Sequence, residues 1–358
     1  YAAYVRVAWN AEGQRVVTAR GSAEPGRAAS AAQPVRIASI SKLVATIGLL
    51  RMVDGGRIDL DGDVSDYLGW QLRNPAAPDV PVTLTQILSH QAGLSDAGGY
   101  VVPLGTDLRD FIGPDSWRGT TPGESFEYAN LGSAVVATVM ERVSGERFDR
   151  LMRRLVFAPM RVDACYNWDS CSEGARARGM MLPEPDGDVL RDDRAERLRD
   201  CQVYLGEGTM CDVTDYMPGT NGSLFSPQGG LRIGIADLAR LGRALAVRDA
   251  RLLSPESYDL LFGSPEALGE ASRGDPVLCL YGLTIQRLSN ALCGQAPHMG
   301  PDLWGHAGEA YHLRSGLWFD PEAGTGVAYV LTGLVDPAAD GASGWLPIER
   351  AALAGTLE

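Results

Sequence analysis

The sequence predicts an α/β fold of the α+β kind: a mostly antiparallel sheet flanked by helices, with a second, all-helical lobe. The first observation is that strand patterns gather at the two ends of the chain, whereas residues 66–222 show a mainly helical pattern. The second is the length of 358 residues, which is long for a single core. We therefore expect residues 1–65 and 223–358 to form a sheet lobe, residues 66–222 a helical lobe, and the site to lie in the cleft between them.

The first elements follow from short local patterns. Residues 4–9 and 14–19, separated by Asn10-Ala11-Glu12-Gly13, predict a hairpin. A loop rich in Gly, Ala and Pro follows, and the apolar run 43–50 then predicts a helix that ends at Gly55-Gly56.

The remaining elements alternate between the two periodicities. Helices are predicted at 84–89, 131–143, 148–157, 235–247, near 255–262 and at 346–353. Strands are predicted at 281–288, 311–319 and 326–334. The stretch 184–200 is dense in mixed charge and should be a solvated loop or helix face.

Composition excludes several classes of partner. A formal charge of −13 argues against nucleic-acid binding and against an anionic membrane surface. The apolar stretches fall well below the roughly 18 residues needed to span a bilayer, so no membrane insertion is expected. A small-molecule or short-peptide substrate remains, and the sequence leaves the oligomeric state open.

Six cysteines fall into three sequence-local pairs: Cys165 with Cys171, Cys201 with Cys211, and Cys279 with Cys293. None has the Cys-x-x-Cys spacing of a zinc or redox site, so disulfides in an oxidising compartment are expected. Nearest-neighbour pairing is one of about 15 connectivities, and six buried free thiols in a cytosolic protein are the alternative. The cysteine pairs therefore predict a periplasmic or secreted protein. No signal peptide stands at Tyr1, so an exported protein would be present here in a mature or trimmed form.

Lys42 is the only lysine in the chain, against 31 arginines. An arginine keeps its proton in proteins, whereas a partly buried lysine can lose it at working pH. Ser39 stands three residues earlier, and a helix places positions i and i+3 on one face. A serine nucleophile needs such a proton acceptor, and a helix N-terminus adds positive charge where an oxyanion would form. The alternative is that Ser39 caps a surface helix and that Lys42 is exposed.

Two further segments complete a known pattern. Tyr128-Ala129-Asn130 resembles the Tyr-x-Asn element of the class C β-lactamase and D-alanyl-D-alanine carboxypeptidase superfamily. His306-Ala307-Gly308 resembles its third element, which is Lys-Thr-Gly in the β-lactamases and His-x-Gly in many esterases, D-aminopeptidases and some carboxypeptidases. With Ser39-Ile40-Ser41-Lys42, the three elements occur in family order, and the resemblance extends through 82–94 and 229–240.

The resemblance implies a role for each matching residue. Ser39 would be the acylated nucleophile, and Lys42 its base or the group that keeps the base deprotonated. Tyr128 would relay the proton to the leaving group, and Asn130 would bind the substrate amide or the lysine. The backbone amides of Ser39 and Glu309 would form the oxyanion hole.

The chain departs from the family at its third element. His306 replaces the lysine that helps to hold a substrate carboxylate in β-lactamases, and a histidine is largely neutral at pH 7. Ala307 lacks the hydroxyl found in many relatives, and Glu309 places an acid beside Gly308, where a small residue is common. Arg314, further along the strand that is expected to carry this third element, would be either a carboxylate clamp or an exposed strand arginine.

These residues predict a serine hydrolase that forms an acyl-enzyme on Ser39, β-lactamase-like or DD-peptidase-like, acting on a small amide, D-peptide or β-lactam. The alternatives are a carboxylesterase or D-aminopeptidase of the same fold and, from another class, a module that captures its ligand without turnover. His90, His298 and His312 lack paired metal spacing, so we expect His90 to be structural and no metal or cofactor to be bound.

Overall fold

A large antiparallel sheet joins the two ends of the chain. The computed structural model describes residues 1–166, 168–183, 213–294, 297–298, 300–334 and 344–357. The strands are β1 (Ala3–Trp9), β2 (Arg15–Glu24), β3 (Arg27–Ala28), β4 (Val35–Arg36), β5 (Ala164–Cys165), β6 (Arg232–Ile233), β7 (Gln286–Leu288), β8 (Leu303–Ala310), β9 (Leu313–Asp320) and β10 (Thr325–Thr332). Seven of them form one sheet in the order β3-β2-β1-β10-β9-β8-β7, and β4, β6 and β5 form a small second sheet.

Helices surround this sheet, and most of those described lie in the segment between its two halves. They are α1 (Ile40–Asp54), α2 (Val64–Leu68), α3 (Leu84–Leu88), α4 (Leu108–Phe111), α5 (Leu131–Ser144), α6 (Phe148–Met152), α7 (Ala158–Met160), α8 (Glu173–Arg178), α9 (Ile235–Ala246), α10 (Pro255–Leu268), α11 (Asn290–Cys293) and α12 (Pro347–Ala354). The predicted mostly antiparallel sheet flanked by helices is confirmed.

The sheet is covered on both faces. Successive side chains of a strand point to opposite faces, and along β1 Val5 belongs to the main core while Tyr4 belongs to a second apolar cluster. Leu241 of the amphipathic helix α9 lies in the main core, and Leu353 of α12 lies in the second cluster. The central strands β1, β10 and β9 are therefore buried for most of their length, and they support β8 beside them.

Helix α1 lies in the middle of the molecule. It is apolar on nearly all sides, which is typical of a buried helix, and it packs against β8, α5 and α10. Gly48 lets α5 and α6 approach, because a Cβ there would come within 2.4 Å of Met152 Sδ. The helix is thus held firmly at the position where its N-terminus presents Ser39.

The predicted strand 281–288 is largely wrong. Only β7 at its end is a strand, because Leu280 and Thr284 adopt positive φ angles of 55° and 52°, and such residues turn the chain. Before that strand the Gly282 N–H donates to Ile285 O at 2.8 Å, which closes a turn.

The sequence patterns did not predict β8. The predicted strand 311–319 begins two residues late in the structure, because Tyr311 and His312, with φ of 49° and 56°, form the turn between β8 and β9. Arg314 therefore lies on β9 and not, as predicted, on the strand that carries His306. The hairpin places Arg314 directly opposite Glu309.

Two of the three predicted cysteine pairs are disulfides, Cys165–Cys171 and Cys279–Cys293. Cys201 and Cys211, like the predicted loop 184–200, lie outside the described residues. Within the described part of the chain no helix is long and apolar enough to cross a membrane. The division into two lobes at residues 65 and 222 stays a prediction.

Candidate active site

The backbone before α1 presents Ser39 in a constrained turn. Ala38 adopts a positive φ of 48°, and the Ser315 hydroxyl donates to Ile37 O at 2.8 Å, which ties this segment to β9. Ser39 is the N-cap residue by position, but its side chain makes no capping hydrogen bond. The alternative of a capping serine is therefore wrong, and the half-buried hydroxyl is available for other contacts.

Lys42 lies beneath Ser39 and is only 2% exposed, so the alternative of a surface lysine is also wrong. Its Nζ lies 3.1 Å from Ser39 Oγ, 2.8 Å from Asn130 Oδ1 and 3.0 Å from Gln228 O. The amide and carbonyl oxygens can only accept hydrogen bonds. A neutral amine would give its two hydrogens to them, and its lone pair would then point to the Ser39 hydroxyl.

Burial lowers the pKa of Lys42 to about 7, although the negative charge of Asp96 opposes the shift. A substantial fraction of the amine is consequently neutral near pH 7. The sequence predicted a lysine that titrates, and the geometry supplies the reason for it.

Tyr128 completes the immediate surroundings of Ser39. Its pKa is raised by burial, and a hydrogen bond with the Ser39 side chain works against that rise. Lys42 Nζ lies 4.7 Å from the centre of the Tyr128 ring. Since the phenol keeps its proton at neutral pH, Tyr128 can pass on a proton, but Lys42 is the better base.

Asn130 is held from two sides. Asp96 Oδ2 accepts hydrogen bonds from both the backbone N and Nδ2 of Asn130, and Asp96 Oδ1 accepts one from Leu131 N at 3.0 Å. The side-chain oxygen of Asn130 is thereby turned toward Lys42. Of the two roles that the resemblance allowed, the contact with the lysine is the one present here.

His306 is 1% exposed and lies in an aromatic cluster beside the site. Its Nδ1–H donates to Ala307 O, and so Nε2 accepts the Tyr281 hydroxyl hydrogen at 2.8 Å. Burial, helped by the charge of Lys42, lowers the pKa of His306 to about 3. His90 packs 4.3 Å from the Tyr128 ring and 5.1 Å from the Tyr281 ring. The third element therefore supplies a neutral ring at neutral pH.

Strand β8 passes close beside the segment that leads to Ser39. A Cβ on Gly308 would lie 2.5 Å from Ile37 O and 2.3 Å from Ser315 Oγ, distances that real Cβ atoms essentially never show. Only glycine allows this approach. It brings the backbone at Glu309 next to the start of α1, as an oxyanion hole formed by these two segments requires.

These side chains meet in a cleft of about 830 Å³. All the sequence-predicted site residues line it except Lys42, which lies just beneath: Ser39, Tyr128, Asn130, His306, Ala307, Gly308 and Glu309. Arg314 also lines the cleft, and its side chain pairs with Glu309 and is 14% exposed, so it is not an exposed strand arginine.

Three residues that contact the predicted site residues were not predicted from the sequence: Asp96, Gln228 and Tyr281. Asp96 follows the quoted family phrase 82–94 by two residues, and Gln228 immediately precedes the phrase 229–240, so their positions next to these phrases could have indicated them. Tyr281 gave no signal, because it lay at the start of a predicted strand. Among the described residues, no group of three or more His, Cys, Asp or Glu side chains is arranged to hold a metal ion.

A family model described as Beta-lactamase matches residues 5–349. The chain belongs to the Beta-lactamase family. The resemblance drawn from the three sequence elements is thereby confirmed over nearly the whole chain.

The curated relatives carry the names of different kinds of protein. Penicillin-binding protein 4 of Amycolatopsis lactamdurans is 26% identical over 237 residues, which are 62% of this chain and 55% of that protein. D-alanyl-D-alanine-carboxypeptidase/endopeptidase AmpH of Escherichia coli (strain K12) is 26% identical over 41% of this chain and 40% of its own length. Esterase EstB of Burkholderia gladioli is 28% identical over 36% of this chain and 37% of its own length. The match thus spans about half or less of each relative.

Solved structures share the fold over almost the full chain. The octameric penicillin-binding protein homologue from Pyrococcus abyssi has a TM-score of 0.69 at 18% identity and covers 99% of this chain and 72% of its own. The D-amino acid amidase from Ochrobactrum anthropi SV3, complexed with D-phenylalanine, has a TM-score of 0.67 at 18% identity and covers 98% of this chain and 92% of its own. At this identity the likeness shows the fold alone.

Proposed function

We propose that this member of the Beta-lactamase family is a serine hydrolase that forms an acyl-enzyme on Ser39 and then hydrolyses it. The observation that carries the proposal is the contact of 3.1 Å between Lys42 Nζ and Ser39 Oγ, with the other two contacts of the amine made to acceptors. A lysine with its pKa lowered to about 7 can take the serine proton near neutral pH.

In the proposed reaction each of these groups has one task. Ser39 Oγ gives its proton to Lys42 and attacks the substrate carbonyl carbon, and the backbone amides of Ser39 and Glu309 stabilise the oxyanion. The Tyr128 hydroxyl donates a proton to the leaving group as its bond to the carbonyl carbon breaks, and Lys42 reprotonates Tyr128. In the second half a water molecule attacks the acyl carbon and gives its proton to the same amine, and Lys42 passes that proton to Ser39 Oγ as the bond between Oγ and the acyl carbon breaks.

The substrate class we favour is a small ester or amide, including D-amino-acid derivatives. The supporting observation is that His306 is neutral and hydrogen-bonded to Tyr281. The cation with which β-lactamases help to hold a carboxylate is therefore missing from the third element. The esterase and D-aminopeptidase alternatives thus gain over hydrolysis of β-lactams or of peptides with a free C-terminal carboxylate.

We also propose that the protein works outside the cytoplasm, in the periplasm or as a secreted protein. The support is the pair of disulfides Cys165–Cys171 and Cys279–Cys293, since such bonds persist in oxidising compartments.

A fluorophosphonate probe with intact-mass analysis tests the hydrolase proposal. Ser39 of the wild-type protein should displace fluoride from the probe and so gain one phosphonyl group. The Ser39→Ala variant should gain none, and Ser144→Ala, at the end of α5, should label like the wild type. Failure of every such probe to modify Ser39 would sink the proposal.

Turnover assays separate the substrate classes. A short-chain nitrophenyl ester should be hydrolysed with a higher kcat/KM than nitrocefin. If Ser39 is acylated but the acyl group is never hydrolysed, so that at most one leaving group is released per protein molecule, the ligand-capturing module replaces the hydrolase.

A further inference from the structure

The hairpin formed by β8 and β9 places a carboxylate and a guanidinium side by side at the cleft. Glu309 and Arg314 are direct partners in the register of the two strands, and Arg314 Nη1 donates to Glu309 Oε2. The turn between them, at Tyr311 and His312, is tight, with both residues at positive φ. The pair is therefore fixed by the backbone.

The two members of the pair are unequally accessible. The Arg314 side chain is 14% exposed, whereas that of Glu309 is 66% exposed. A ligand that enters the cleft consequently meets the carboxylate first, and the guanidinium lies behind it.

Two other acids, Asp275 and Glu349, belong to the same cleft lining. Glu349, also in the cleft lining, is 2% exposed and accepts a hydrogen bond from Leu346 N at 2.9 Å. Burial raises the pKa of Glu349, and the charge of Arg314 acts to lower it. Arg314 thus interacts with carboxyl groups of its own chain: it pairs with Glu309, and its charge acts on Glu349.

Resting on the proposed hydrolase function, we propose that Glu309 is a specificity-determining residue that occupies Arg314 and so selects against substrates whose acyl chain carries a carboxylate. The preferred substrates are then esters and amides that are neutral in this part of the cleft.

The physical reason is a competition for one guanidinium. A substrate carboxylate has to displace Glu309, whose attachment to the neighbouring strand gives it a high effective concentration. It also has to approach the exposed Glu309 charge, and like charges brought together oppose binding. Removal of that charge leaves Arg314 free to bind a carboxylate through its planar fork.

The test uses mono-p-nitrophenyl glutarate and its methyl ester, which differ only in the free carboxylate. The wild-type enzyme should prefer the methyl ester in kcat/KM by about 10-fold or more. Glu309→Gln keeps the shape of the side chain and should shift the ratio of the two kcat/KM values toward the free acid by about 10-fold. Glu309→Gln combined with Arg314→Gln should lose that gain.

Glu146→Gln is the matched control, because Glu146 pairs with Arg154 at an exposed position away from the cleft lining. For this variant the ratio of kcat/KM for the free acid to kcat/KM for the methyl ester should equal that of the wild type. If the double variant does not fold, 0.5 M NaCl offers a second measurement, and it should reduce the gain of Glu309→Gln by about threefold through screening of the partly exposed site.

Three results would overturn the proposal: a wild-type preference for the free acid, an unchanged ratio in Glu309→Gln, or a gain that stays undiminished without Arg314 or in high salt. Fluorophosphonate labelling of Ser39 in the same preparations separates the two levels of inference. Labelled protein with an unshifted ratio contradicts only the role of Glu309, whereas unlabelled wild-type protein that releases no nitrophenol contradicts the hydrolase itself.

Discussion

The carboxylate of Asp96 holds both ends of Asn130. One oxygen, Oδ2, accepts hydrogen bonds from the backbone N and from Nδ2 of Asn130, each at 2.9 Å. The orientation of the Asn130 amide follows from this contact, and the amide oxygen is left to accept from Lys42 at 2.8 Å. Asp96, which is not itself part of the cleft lining, therefore fixes the amide that contacts Lys42.

Replacement of Asp96 by Asn should disturb this arrangement in a diagnostic way. The new amide group cannot accept all three hydrogen bonds, and the negative charge that raises the pKa of Lys42 is lost. We expect kcat to fall by roughly 10- to 100-fold and the midpoint of the kcat/KM pH profile to move below that of the wild type. A fall in activity with an unmoved midpoint would mean that Asp96 is merely structural.

The pH dependence of acylation reports the state of Lys42. Because the amine must be neutral to accept a proton, and its pKa is lowered to about 7, the rate should rise with pH and level off above about 8. His306, with its pKa lowered to about 3, stays neutral throughout and adds no second midpoint in this range. The rate of fluorophosphonate labelling between pH 5 and 9 measures this directly, and a flat profile would contradict it.

The substitution Lys42→Arg tests whether the amine acts through its charge or through its proton. A guanidinium keeps the positive charge but does not deprotonate, so acylation should fall by at least about 1,000-fold. Arg154→Lys, at an exposed ion pair, is the reciprocal control and should leave the labelling rate unchanged. Full activity in Lys42→Arg would refute the role of the lysine as proton acceptor.

The substitution Gly308→Ala tests whether activity requires the close approach of β8 to the segment before Ser39. In Gly308→Ala the new Cβ meets Ile37 O and Ser315 Oγ at impossible distances, so the strand must shift. We expect kcat to drop by about 100-fold or more through a displaced oxyanion hole, and the free energy of unfolding to fall by about 1–3 kcal/mol.

Gly263→Ala provides the contrast. Gly263 lies exposed inside α10 with no atom within 4 Å of a new Cβ, and alanine there should stabilise the helix by about 0.5–1 kcal/mol without loss of activity. If both variants behave alike, the approach of β8 has no catalytic meaning.

Much of the fold could be predicted because its elements carry local signals. The apolar run of α1 and the terminating Gly55 predicted that helix, and the hairpin of β1 and β2 follows from period-two alternation around a turn. β8 was not predicted, because Trp304-Gly305-His306-Ala307-Gly308 lacks β-branched residues and contains two glycines. Gly308 is required there for close contact with another segment, and sequence patterns do not report such contacts.

In the candidate site, too, contacts within one helix turn could be predicted from the sequence, whereas contacts between distant segments could not. Ser39 and Lys42 share one helix turn, and so their proximity could be predicted from spacing alone. The contacts of Lys42 with Asn130 and Gln228 join residues 88 and 186 positions away, and no local pattern encodes them. The charge state of His306 likewise depends on burial and on Tyr281, both of which are products of the tertiary fold.

A buried carboxyl group far from the cleft gives the last prediction, which concerns stability. Glu141 is fully buried in α5, and its carboxylate accepts hydrogen bonds from the Tyr216 hydroxyl, Gly219 N and Phe148 N. Burial nevertheless raises its pKa to about 7. A carboxyl whose pKa is raised on folding stabilises the protein fully below its unfolded pKa, and this contribution is lost as pH rises through the folded value.

Unfolding by denaturant at a series of pH values checks this argument. The wild-type free energy of unfolding should contain a component that declines between about pH 4.5 and 7, and Glu141→Gln should lack it. The variant should also be less stable by about 1–3 kcal/mol at pH 5, because the glutamine NH₂ faces N–H and O–H donors that the carboxyl oxygens satisfied. Glu146→Gln makes the same chemical change at an exposed position and should alter neither quantity by more than about 0.5 kcal/mol. Equal pH slopes in the wild type and Glu141→Gln would show that the carboxyl titrates in the folded protein as it does in the unfolded chain, and the three hydrogen bonds would then fully offset its burial.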